Sequence, residues 1–127
     1  MVGLGLGAGI AEEVWVVAHP SVQRIDRQTL QRIYTGRVLS IGGQAVLPVN
    51  LPPGNLVREE FLRLCLDQAE EQYTGYWLVR RYVGKGTPPP ELLGVDEVIR
   101  HIQATPGAIG YLPASRAPRG VNVIFKP

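Results

Sequence analysis

The sequence predicts an α/β domain, a mainly parallel sheet flanked by helices. Three observations lead there. Apolar runs rich in β-branched residues stand at 13–19 (EVWVVAH), 45–49 (AVLPV) and 108–112 (AIGYL), as expected of strands buried on both faces. Between them lie segments whose apolar residues recur at helical spacing. Strand-type and helix-type segments alternate, the pattern of βαβ units.

At 127 residues the chain is long enough for one domain with a real core. That domain is assigned to residues 12–127. Residues 2–11, VGLGLGAGIA, are small and apolar and end abruptly at Glu12 and Glu13. Residues 1–11 are therefore set apart, as a signal-peptide remnant or a flexible glycine-rich leader. The remnant reading is preferred and places the domain in the periplasm or outside the cell. No stretch is long and apolar enough to span a bilayer.

The elements follow in order. The first strand, 13–19, is closed by Pro20 and Ser21. Asp26 is a good N-cap for a helix from Arg27 to Tyr34, with Leu30, Ile33 and Tyr34 on one face and Gly36 just past its end. Gly42 and Gly43 punctuate a loop before the central strand. Pro52, Pro53 and Gly54 stop that strand, and Asn55 caps a helix over 56–66 with Val57, Phe61, Leu64 and Cys65 inward. A third helix begins at Asp67 or Gln68 and runs through Tyr73, Tyr76, Trp77 and Arg80. Pro88, Pro89 and Pro90 make a stiff connector. A fourth helix spans Val95–Ala104, broken by Thr105, Pro106 and Gly107. Short strands at 108–112 and 121–125 complete the chain.

Lys and Arg number 13 against 11 Asp and Glu, a net charge of +2. That balance argues against a nucleic-acid partner, which calls for a basic stripe. Cys65 is the single cysteine, and its apolar neighbours make it a small buried hydrophobe before a nucleophile. His19 and His101 lie far apart, with no metal-ligand spacing. No nucleophile elbow, Walker loop or dinucleotide fingerprint occurs; GLGLGAG precedes the first strand, whereas a phosphate loop follows one. The reading is a non-enzyme without metal or cofactor.

The most informative stretch is AVLPVNLPPGNLVREEF, residues 45–61. A strand turning directly into a helix points free amides and the positive end of a helix dipole at one spot, where an anion or polar ligand is held. The candidate ligand-binding residues are Gly54, Asn55, Leu56, Val57 and Arg58, with Asn50 beside them. His19, Ser21 and Thr35, at the ends of the first strand and first helix, are candidates for the same edge.

LQRIYTGRV, a glycine loop, VLPVN, the turn and helix ending in Phe61, YWLVRRYVGKGTPPPE and TPGAIGYLP occur in that order. The series resembles the phosphate-binding proteins of bacterial ABC importers, of type II periplasmic-binding (PBP-like) fold, and most closely short, single-lobe members. It covers about residues 14–115. The resemblance implies a three-layer lobe and a small anion or polar solute as ligand. It also implies a homodimer or a membrane transporter to close the open side. In the family a Ser-Gly-Thr stands at the helix N-terminus, with an arginine four residues before it. With Phe61 matched, these positions fall on Asn55, Leu56, Val57 and Leu51, and Gly54 alone is retained. The hydroxyl donors and the guanidinium with which the family holds a tetrahedral oxyanion are thus absent from these positions. Two functions follow: a solute-binding-like domain holding a small anion, or a degenerate lobe serving as a non-catalytic protein-interaction or sensory module.

Overall fold

The computed structural model describes residues 13–127. The leader assigned to residues 1–11 lies outside them. Helices flank a four-stranded sheet in which β4 (Leu47–Pro48), β5 (Ala108–Pro113), β1 (Val14–Ala18) and β6 (Asn122–Phe125) lie in that order. Strand β1 lies between β5 and β6. Both β1 and β5 are buried along most of their length, which is why each reads as a continuous apolar run. The α/β lobe stands as expected, and its strand pairing is mixed. β4 (Leu47–Pro48) pairs parallel with β5, while β5 and β6 both run antiparallel to β1. The expectation of a mainly parallel sheet assumed helical crossovers between neighbours. Here β1 is held between β5 and β6, both antiparallel to it, and β5 passes on to β6 through a short 3-10 turn, Ala114–Arg116, with no helical crossover between them.

Successive residues of β5 face opposite layers and so define the architecture. Gly110 lies under Val98 and Ile102 of helix α4 (Val95–Ala104). Tyr111, its neighbour, stacks on Phe61 with ring centroids 3.9 Å apart, and Tyr34 meets Phe61 edge-on at 4.8 Å. Phe61 ends helix α2 (Leu56–Phe61), and Tyr34 ends α1 (Arg27–Tyr34). One layer is thus α4 and the other is built on this aromatic cluster, with the sheet between. Helix α1 has the expected bounds because its signals are local: Asp26 accepts the Thr29 amide at 2.8 Å, and Leu30, Ile33 and Tyr34 are its buried residues.

Three elements differ from expectation. The glycine pair Gly42–Gly43, both at positive φ, turns a small hairpin of β2 (Ser40–Ile41) and β3 (Gln44–Ala45), so the central strand is reduced to β4. The helix predicted over 56–66 is α2 followed by a π-helical turn, Leu62–Leu66. That turn ends at Asp67, whose φ of 56° is left-handed; Asp accepts this where most residues do not. Helix α3 therefore begins later, as Glu70–Tyr82, with Gln72 reaching back to the Ala69 amide at 2.7 Å. The proline connector runs beside the end of β4, where Asn50 pairs with Glu91 through bonds to Pro90 and Leu92. Prolines lack a donor, and this outer position asks little of them.

Candidate functional site

The turn after β4 is built as a ligand loop would be, and its polar groups are used by the chain itself. Gly54, at φ 90°, closes a tight turn in which the Asn55 amide bonds Pro52 O at 3.1 Å. Asn55 is the N-cap, as expected. Its Oδ1 accepts from the Val57 and Arg58 amides at 2.8 and 3.1 Å, two of the donors expected to face a ligand. Leu56 stands outward and exposed, and Val57 is half-buried.

Arg58 points inward, 3% exposed. Its guanidinium forks onto Glu70, Nε to Oε1 at 2.8 Å and Nη2 to Oε2 at 2.7 Å. Nη1 donates to Leu51 O at 3.0 Å and reaches Glu91 at 3.4 Å, and the group lies over the Tyr73 ring. Bidentate, charge-assisted bonds of this kind are the strong ones. Burial works against the arginine's charge, and the Glu70 bonds outweigh it, so its pKa is raised. Arg58 is therefore no solvated side chain. The inward face, though not the partners on it, was legible: Arg58, Phe61, Leu62 and Cys65 follow the i, i+3, i+4, i+7 spacing of one helix face.

Asn50 is likewise interior, 1% exposed. Its Nδ2 donates to the Tyr73 hydroxyl and its Oδ1 accepts from the Tyr111 hydroxyl, each at 3.0 Å. Tyr111 accepts the Leu51 amide at 2.9 Å, and Tyr73 donates to Tyr34 O at 3.0 Å. Every member of this chain of bonds has a partner, which is what a buried polar network requires. Burial pushes both tyrosine hydroxyls up in pKa, so they act as neutral donors.

The remaining candidates lie elsewhere. His19 Nδ1 bonds the Ser21 hydroxyl at 2.9 Å, and that hydroxyl accepts the Gly107 amide at 3.0 Å, at the start of β5. Thr35 bonds back to Gln31 O at 2.7 Å and lines a separate groove with Gln31 and Tyr76. Of the nine candidates, Asn50 and Arg58 come together, in a cavity of about 160 Å³ shared with Pro53, Thr74, Arg81 and Glu91. Glu70, Glu91 and the tyrosines were missed, because they reach the site from distant parts of the chain.

Glu70 gives the cluster an acid dependence. Its bonds to Arg58 hold its carboxyl below the ordinary value of 4.5. A lowered folded pKa contributes stability that is present above the unfolded value and lost as pH falls through the folded one. The urea midpoint is expected to drop as pH falls below that ordinary value, and Glu70→Gln to flatten the drop. Asp26 is likewise lowered, by its hydrogen bonds to Thr29, and adds its own acid dependence, so the difference between wild type and Glu70→Gln isolates Glu70. An identical pH profile in the variant refutes the coupling.

Cys65 is buried and its thiol is pushed up to about 12 by that burial, which removes the reactive thiolate. Among the described residues no group of three or more His, Cys, Asp or Glu is placed to hold a metal ion, and no helix is long and apolar enough to cross a membrane.

No family model and no curated protein matches the chain. Solved structures do. An ABC-type phosphate transport receptor from Vibrio cholerae superposes with a TM-score of 0.68 at 15% identity, over 89% of this chain and 45% of that one. A phosphate ABC transporter substrate-binding protein with bound phosphate from Clostridium perfringens gives 0.68 at 17% identity, over 89% and 44%. PstS from Borrelia burgdorferi gives 0.67 at 17% identity, over 89% and 46%. The chain shares their fold and spans less than half the length of each. This is the fold likeness expected from its motifs.

Proposed function

We propose that the chain is a PBP-like lobe working outside the cytoplasmic membrane as a non-catalytic binding module, one that no longer holds phosphate. The observation that supports this reading is the fate of Arg58. Its cation faces two carboxylates of its own chain, and Asn55 already takes two amides of the turn. A dianion at this corner would meet one guanidinium and two carboxylates at close range, where charges interact by several kcal/mol even at an effective dielectric of about 20. The lobe then acts through its surface, as an interaction or sensory module.

A second reading keeps a small anion or polar solute at the turn. Gly54, Asn55, Leu56, Val57 and Arg58 would hold it, with Asn50, His19, Ser21 and Thr35 toward the same edge. It has the shared fold in its favour, including a neighbour whose name states bound phosphate. It requires Asn55 and Arg58 to exchange their present partners for the ligand, and a second copy or a membrane transporter to cover the open side.

Thermal unfolding with phosphate, sulfate and small carboxylates separates the two. The first reading predicts an unchanged Tm at millimolar concentration. A ligand present at a hundred times its Kd adds about 2.7 kcal/mol, a rise of roughly 10 °C in a domain of this size. Such a rise with any of these anions would overturn the first reading and restore the second.

A further inference from the structure

We propose that the C-terminal half of α3 is a docking face for an anionic phospholipid surface. The inference gives a partner to the interaction module proposed above and rests on that reading. The helix buries Tyr73 and Trp77 against the core and turns another face outward. On that face Leu78 is 64% exposed, Val79 64%, Tyr82 92% and Val83 55%. The pairs Leu78–Tyr82 and Val79–Val83 are each four residues apart, so the side chains form two adjacent stripes. Single exposed apolar residues need no explanation, but a contiguous group of four does.

The surrounding charge identifies the occupant. Residues 72–90 contain Arg80, Arg81 and Lys85 and no Asp or Glu, a formal +3, more than the +2 of the whole chain. Arg80 lies over the rings of Tyr76 and Trp77 and is held in the fold. Arg81 and Lys85 are exposed and have no carboxylate partner among the described residues. Apolar side chains beside two unpaired cations, with a tyrosine outermost, match the layered chemistry of a bilayer surface. The ring and aliphatic groups sit at the acyl boundary, and the cations at anionic headgroups.

The test is flotation of the full chain with vesicles of phosphatidylcholine alone or mixed with phosphatidylglycerol. The wild-type protein is expected to float with the mixed vesicles at low salt, to stay behind with phosphatidylcholine alone, and to be released by high salt. Arg81→Gln and Lys85→Gln should each weaken partitioning about fivefold, the equivalent of roughly 1 kcal/mol per basic residue. The double variant Tyr82→Ser with Val83→Ser should abolish flotation. All four positions are exposed, and an unchanged Tm shows that the variants fold. Failure of the wild type to float with mixed vesicles overturns the proposal, as does undiminished flotation of the variants; an acidic protein as the true partner would give the first result. Neither outcome touches the anion experiment, so this proposal and the underlying reading fail separately.

Discussion

Replacing Arg58 with alanine is expected to destabilise the domain by about 3 kcal/mol, roughly 10 °C in Tm, without acting through any ligand. Removing one partner of a buried ion pair typically costs about 3–5 kcal/mol, because the other charge is left uncompensated. The lower end applies here, since Glu70 is 24% exposed and Glu91 47% and water relieves part of their charge. Leu51 O also loses a hydrogen bond in the interior. Arg58→Lys should recover little, since an ammonium cannot reproduce the two parallel bonds to Glu70. Urea titration of wild type, Arg58→Ala, Glu70→Ala and the double variant would measure the coupling. A loss below about 1 kcal/mol in Arg58→Ala, with no coupling to Glu70, would refute a structural role for the arginine and return it to the list of ligand contacts.

What was legible in the sequence and what was not follows from how far each signal reaches. Asp26, Asn55 and Gly36 act within a turn of their helix ends, and helix α4 shows its periodicity over its own length, so these features were readable. Arg58 is the instructive case. Its position in the first turn of α2 suggested a ligand contact, yet the residues that decide its role are Glu70 and Glu91, twelve and thirty-three residues away. Asn50 is hidden in the same way: its partners Tyr73 and Tyr111 come from α3 and β5. Strand direction was hidden too, because an apolar run reads alike in parallel and antiparallel pairs. The motif PGAIGYL was recognised as a pattern, and its physical reason lies in a contact between two backbones.

That contact makes Gly107→Ala the other substitution of large expected effect, about 3 kcal/mol or more. Gly107 has φ 85°, a left-handed conformation that costs an alanine roughly 1–2 kcal/mol on its own. A Cβ there would lie 2.1 Å from Ala45 O and 3.3 Å from Ala45 C, both backbone atoms of β3. The approach is built into the fold, since Gly107 O accepts the Leu47 amide at 2.8 Å and its own amide donates to Ser21. A methyl group would push the β2–β3 hairpin away at the point where β4 takes its register on β5, Leu47 opposite Ala108. β4 leads directly into Asn50, so the damage should spread to the buried polar network. Gly110→Ala offers the internal comparison. Its added methyl would meet Val98 Cγ1 at 2.6 Å, a side chain on a helix that shifts more readily than a paired backbone, and overpacking of that kind costs about 1–3 kcal/mol. Gly107→Ala should therefore lose more Tm than Gly110→Ala in parallel calorimetric scans. The reverse order would mean that the hairpin yields more easily than α4, and that the approach at Gly107 does not set the register of β4.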